Sequence, residues 1–362
     1  MQQGLLVFPD DPPSYCEVGL GKFEPVIKKE EPQGGTVSCH NPLGQNIITC
    51  RHPYRNEFVE EVGGLTLDAK LSTQIEELPF YIPVLDISSS QESKVPSFLP
   101  TVGVTLKDII LGGAKQIAGT YHEDAAISFR DSILSFKGFS GKNVILFLTG
   151  TDTLIETAWH RREPCKFFET IGNMGFWAVG GMNFSVFEGE CAFSQALNQK
   201  RSLFSSHLIE ENNVQAIPHV YAINQHHIER WAEWFLLNPS VKLFTINCQM
   251  QKSDHDISQV VTTVKILLRK FPYLHVLLQG FRFNEIYQFG SLIHRIHFAD
   301  KMPVKCAYAR TEILIDKSSG KLSNVEKSTK SKKYLLRNNI TNRCMFLESL
   351  RNKILQRTYN NI

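Results

Sequence analysis

The chain reads as an α/β protein: a (β/α)8 TIM-like barrel flanked by an irregular N-terminal arm and a basic C-terminal tail. Three observations predict this. Between residues 79 and 315, short runs rich in Val, Ile, Leu and Phe alternate with helical patterns. There are about eight such units over roughly 235 residues, close to the ~250 residues typical of these barrels. The runs lack clean in–out alternation, as strands covered on both faces of a parallel sheet do. No glycine-rich dinucleotide fingerprint follows the first run, which places an open doubly wound sheet second.

The elements follow in order. Residues 1–78 form an irregular lobe or wrapped arm, because seven of the 16 prolines fall by residue 53, mixed with glycines. The predicted strands are Ile82–Ile87, Val102–Leu106, Val144–Leu148, Phe176–Val179, Ile217–Ile223, Lys242–Cys248, Leu274–Leu278 and Arg295–Phe298. Two intervening helices are well marked. Ile228, Trp231, Ala232, Phe235 and Leu236 make one apolar stripe, which Asn238-Pro239 ends. Ser253, with Asp256 three residues on, caps the next helix; its buried face is Ile257, Val260, Val261, Val264, Leu267 and Leu268, and Pro272 closes it. Residues 316–362 form the basic extension, with a short helix expected from Cys344 to Leu355.

Composition excludes several classes. Apolar residues are 42% and charged residues 21%, so the chain can build a core and is not disordered as a whole. The longest apolar runs, such as Val144–Leu148, are far below the ~20 residues of a membrane span. The N-terminal stretch lacks a basic start followed by an apolar run, which predicts a cytoplasmic protein. Eight cysteines without a CxxC pair read as reduced thiols. Cys39-His40 and Cys50-x-His52 match no metal-ligand spacing, so neither metal nor cofactor is expected. Between residues 317 and 357 stand eleven basic and two acidic residues, a net of +9, whereas the whole chain carries +3. That asymmetry points to phosphates, with Lys330, Lys332, Lys333 and Arg337 as nucleic-acid contacts; a solvated terminal extension is the equal alternative.

In a barrel, working residues lie at the carboxyl ends of strands. That rule selects Asp86, Thr149 to Asp152, Asn183, Ser185, Asn224, Asn247, Gln249, Gln279, Asp300 and Lys301. Carboxylates, amides and hydroxyls dominate. The set suits a site that grips a polar, planar ligand and works through carboxylates, as glycosyl chemistry with its oxocarbenium-like transition state requires. It does not suit a metal hydrolase or a Ser-His-Asp hydrolase. Structural roles compete: Asp86 can cap the Ser88-Ser89-Ser90 turn, Asp152 can cap a helix through His160, and the asparagines can satisfy loop backbone.

The stretch from about 216 to 312 resembles the C-terminal half of the tRNA-guanine transglycosylase superfamily barrel, which includes enzymes that place 7-deazaguanine bases in DNA. The carrying segments are HVYAINQ, ERWAEWF, FTINCQM, KFPYLHVLLQGF and IHFADKMPVKCAYAR, with VLDISSSQ similar to the family's aspartate segment. The resemblance implies Asp300 as the covalent nucleophile, Arg310 as the family's later arginine, and Asp86 (or Asp152) as the proton-moving group. Asn183, Asn247, Gln249 and Gln279 would read the base edge. The family's glycine pair and zinc site have no counterpart here, which points away from tRNA as the specific substrate. Residues 164–203, with NFS and a following N-x-x-R, also resemble a barrel family of unknown function from phages and mobile elements. The implied partners are DNA or RNA and a modified-base precursor, with the chain acting alone or with a protein that delivers its substrate. The alternatives are a non-catalytic nucleic-acid-binding scaffold and a small-molecule enzyme.

Overall fold

β-branched and aromatic residues cluster in runs such as TVGVT, NVILF, LFTIN and IHFAD, and these are strands in the computed structural model. The structure describes residues 55–72, 75, 77–86, 95–110, 129–130, 139–186, 188, 192–251, 253–315, 322–323 and 327–359. Eight strands are all parallel to their neighbours: β1 (Tyr81–Pro83), β2 (Thr101–Thr105), β3 (Asn143–Phe147), β4 (Ala178–Gly180), β5 (Gln215–Ile217), β6 (Leu243–Asn247), β7 (His275–Gln279) and β8 (Ile296–Asp300). They form two four-stranded sheets, ordered β1-β8-β7-β6 and β2-β3-β4-β5. Single parallel bridges, Val84 to Gly103 and His219 to Thr245, join the sheets at both edges.

All eight expected strands are present, shifted by a residue or two at most ends. The exceptions are the first, where the ladder ends at Pro83 and Val84 adds one bridge, and the fifth, where only Gln215–Ile217 lies in the ladder and His219 adds one bridge. Helices intervene as parallel crossovers demand: α1 (Arg55–Glu61), α2 (Leu106–Ile109), α3 (Asp152–His160), α4 (Phe167–Asn173), α5 (Ala192–Glu211), α6 (Gln225–Leu237), α7 (Asp254–Lys270), α8 (Met302–Tyr308) and α9 (Lys332–Tyr359). A 3-10 segment, Phe283–Arg295, leads into β8. Helix α7 opens on a capping box between Ser253 and Asp256 and buries the expected face. Helix α6 opens one turn before its apolar stripe, where Asn224 accepts from the His227 amide at 2.9 Å.

Alternate strand residues enter two separate clusters. Ile82, Val84, Ile145, Phe147, Ala178, Ile217, Leu243, Leu277 and Ala299, drawn from both sheets, pack on one another. Their strand neighbours, such as Val104, Leu146, Phe244, Leu278 and Phe298, pack with the helices. Glycine is required at position 103 in the inner cluster: a Cβ there would lie 2.5 Å from Phe147 Cε2 and 3.2 Å from Val84 Cγ2. Phe147 occupies that space and is fully buried, a gain of roughly 1.5–3 kcal/mol for such a ring.

Both chain extensions reach this core. Residues 65–71 strap across α6. Trp234 Nε1 donates to Ala69 O at 2.8 Å, Arg230 Nη2 to Leu65 O at 2.5 Å, and the Leu71 amide to Asn238 Oδ1 at 3.2 Å. Residues 1–54 of the expected N-terminal arm, including Cys39, His40, Cys50 and His52, lie outside the described residues. The tail helix is longer than the expected Cys344–Leu355: α9 spans 28 residues and buries Leu335, Leu336, Ile340, Leu347, Leu350 and Ile354. Among the described residues no helix is long and apolar enough to cross a membrane. Cys165, Cys248, Cys306 and Cys344 are free thiols.

Candidate functional site

The carboxyl ends of β1, β2 and β8 bring four interacting side chains together. Lys301, the residue after β8, donates from Nζ to Thr105 Oγ1 at 2.9 Å and to Asp86 Oδ1 at 3.3 Å; its Nζ is also 3.6 Å from Asp108 Oδ2. Lys107 closes the group at 3.7 Å from Asp86. Asp108 is locked by its own helix start, since its Oδ2 accepts from the Thr105 amide at 2.9 Å and the Thr105 hydroxyl at 2.6 Å. Asp86 and Lys301 keep side-chain exposures of 18% and 16%, so ligand can reach them.

Strand parity explains the grouping. Val84 lies in the inner cluster, so Asp86, two residues on, continues that face. Ala299 lies inside, so Lys301 does too. Asp300 takes the outer face. Its Oδ1 accepts from Tyr81 OH at 3.1 Å and from the Met302 amide at 2.9 Å. Its Oδ2 accepts from Arg343 Nε at 3.2 Å and Nη2 at 2.9 Å. The Asp300–Arg343 pair is buried on both sides, at 8% side-chain exposure each. Asp300 and Asp86, expected to work on one substrate, thus sit on opposite faces of the strand layer.

Across the carboxyl ends, β5, β6 and β7 present amides and an imidazole. Gln279 Nε2 donates to Thr245 Oγ1 at 2.8 Å, Asn247 Oδ1 accepts from the Gln249 amide at 3.0 Å, and Tyr221 OH donates to Asn247 O at 3.2 Å. His219 is fully buried, stacks on Tyr221 at 5.5 Å between ring centroids, and finds no partner for either ring nitrogen among the described residues. Burial pushes its pKa down to about 3, so the ring is neutral at pH 7. Asn183, also buried, has no partner for its side-chain oxygen among the described residues.

A second polar network lies between α3, α5 and the loop after β4. Asp152 Oδ1 accepts from Ser185 Oγ at 2.6 Å, and Asn198 Nδ2 donates to Ser185 O at 2.6 Å. Arg201 makes a buried bidentate pair with Glu156 at 2.9 and 2.6 Å and lies 3.9 Å from the Phe184 ring centroid. The N-x-x-R motif is therefore a pinning device: Asn198 holds the NFS loop while Arg201 holds α3. Thr151, not Asp152, caps α3, by accepting from the Leu154 amide at 3.4 Å.

The remaining predicted residues have structural partners. Asn224 caps α6. Arg310 ends α8 with φ 56° and donates to Lys330 O at 3.0 Å. Lys330 pairs with Glu312 at 3.0 Å, and Lys332 sits 4.9 Å over the Tyr308 ring. Lys333 and Arg337 are exposed.

Sequence reasoning missed Thr105, Lys107, Asp108, His219 and Arg343. The strand-end rule applied to the second run would have found TLKD. No motif marks His219, and the partner of Arg343 is 43 residues away. No protein-family model matches this chain, and no curated protein matches it either.

Proposed function

We propose that the eight strands close into one (β/α)8 barrel and that its strand-end mouth is an active site for base exchange on a nucleic acid, centred on Asp86 and Lys301. Barrel closure is supported by the bridges at both sheet edges and by the inner cluster shared between the sheets. The observation that carries the functional reading is the Asp86–Lys301–Thr105–Asp108 group, four charged or polar side chains converging where such barrels do chemistry. Asp86 takes the carboxylate role at C1′ as the old base departs, and Lys301 orients that carboxylate. Gln279, Asn247, Asn183 and His219 offer hydrogen bonds to a planar heterocycle. Asp300 becomes a positioning residue, whose grip on Arg343 and on the start of α8 fixes Lys301 beside it.

The test is incorporation of labelled guanine or a 7-deazaguanine precursor into duplex DNA and tRNA. Incorporation should vanish in Asp86→Asn and Lys301→Met but survive in folded Asp300→Asn. No incorporation into either nucleic acid, or activity surviving Asp86→Asn, would overturn the reading. A binding scaffold is the second reading, favoured by the exposed Lys332, Lys333, Arg337, Lys353 and Arg357 of α9. It requires salt-sensitive DNA or RNA binding that survives Asp86→Asn and falls when those five are replaced together.

A further inference from the structure

At the amino ends of β7 and β8, opposite the strand-end site, a cavity of about 330 Å³ opens beside α9. That is within the roughly 300–1,000 Å³ of small-ligand sites. Its polar walls are His275, His294, His297, Glu77 and Arg351, and Phe80 forms part of its apolar floor.

Arg351 is the first argument. Arginines 343 and 351 lie eight residues apart on one face of α9. Arg343 has Asp300. Arg351 has no hydrogen-bond or ion-pair partner among the described residues, and its Nε is shut off from solvent. Its guanidinium stands 5.0 Å over the Phe80 ring. A guanidinium stacked on an aromatic ring with its buried Nε unmet is costly, and an anion in the cavity meets that demand.

The histidines specify which anion. Pro79 O can only accept, so His297 Nδ1, 3.0 Å away, carries a proton. His297 Nε2 must then accept, and His275 Nδ1, at 3.0 Å, donates to it. The relay leaves His275 Nε2 as an acceptor. His294 Nδ1 likewise donates to Ser291 O at 2.6 Å. Burial holds His297 down to about 4 and, with Arg295 and His294 nearby, lowers His275. Glu77, an exposed carboxylate on the rim, repels a dianion. The ligand must therefore carry one negative oxygen for Arg351 and one O–H for His275.

We propose that this cavity binds a phosphate group as its singly protonated anion, with P–O⁻ against Arg351 and P–OH donating to His275. Free phosphate and the 5′-phosphate of an oligonucleotide share that chemistry.

Calorimetry on the full chain tests it with inorganic phosphate, sulfate, and an oligonucleotide with or without a 5′-phosphate, at about pH 6 and about pH 8. Phosphate should bind more tightly at the lower pH. Sulfate, with the same shape but no O–H, should bind at least about tenfold more weakly. Arg351→Gln should weaken phosphate at least about tenfold, while Lys305→Gln, exposed on α8, should not change it. Glu77→Gln, a surface change that leaves the fold intact, should tighten binding and reduce the loss at high pH. A phosphorylated oligonucleotide that outbinds free phosphate would place a strand end here; equal affinities would assign the site to the phosphate group alone. No phosphate binding, sulfate as tight as phosphate, or Arg351→Gln binding like the parent would overturn the proposal.

Discussion

Replacing Asp300 by asparagine separates a structural from a chemical role for this residue. The carboxylate accepts four hydrogen bonds, from Tyr81, Met302 and twice from Arg343. In Asp300→Asn one oxygen becomes an NH2 donor facing donors, and the Arg343 guanidinium, 8% exposed, loses its counter-ion. Removing one partner of a buried pair costs about 3–5 kcal/mol, mostly from the stranded charge. Urea unfolding of the full chain should show a loss of that size for Asp300→Asn and for Arg343→Met. The double variant Asp300→Asn with Arg343→Met should cost less than the two single losses summed, by about 2 kcal/mol or more, because no charge is left unpaired. A single-variant loss below about 1 kcal/mol, or simple additivity, would refute the anchoring role and return Asp300 to the list of groups free to act on substrate.

Three further outcomes follow from the structure. Deleting residues 317–362 should aggregate the protein rather than merely weaken nucleic-acid binding, since it uncovers the face on which six apolar α9 residues lie buried; a monodisperse truncated monomer in light scattering would contradict this. Gly103→Ala should cost about 1–3 kcal/mol by overpacking against Phe147, and Phe147→Leu in that background should recover part of it; an unchanged melting temperature would sink the inner-face assignment. His219 stays neutral when folded, with its pKa pushed down to about 3, but titrates near 6.5 when unfolded. Its contribution is therefore complete above about pH 6.5 and is lost as pH falls toward 3, at about 1.4 kcal/mol per pH unit. The stability of wild type relative to His219→Phe should thus fall by about 2 kcal/mol between pH 7.5 and pH 5; a constant difference would show that the ring finds a proton-accepting partner.

Much of the scaffold is legible in the sequence because burial on both faces leaves unbroken apolar runs, and each of the eight runs overlaps a strand, the first and fifth only at one end. Capping is legible for α7 because Ser253 and Asp256 act over three residues. The tail is less so. Its apolar residues sit among eleven basic ones, so average polarity hides a stripe that only a docked helix reveals. The irregular arm carried no sign that Leu65 and Ala69 would offer their carbonyls to Arg230 and Trp234, a contact across 165 residues.

The site turns on a finer property. Asp300 and Lys301 are adjacent, and a strand sends neighbours to opposite faces. A rule that selects strand ends therefore delivers both without saying which turns to the inner face. Register decides it: Pro83 pairs with Asp300, which sets Ala299 in the inner cluster and Asp300 against Tyr81 on the other side. The same count turns Asp86 inward from Val84 and Thr105 inward from Gly103. The carboxylate on the inner face is then Asp86, and its cation, Lys301, lies 215 residues away in the chain. Asp300 serves the same site from behind. Its bond to the Met302 amide fixes the turn that carries Lys301, and its pair with Arg343 ties that turn to α9. A substitution at Asp300 that keeps the fold should consequently shift the position of Lys301 and weaken turnover several-fold, while Asp86→Asn should remove it.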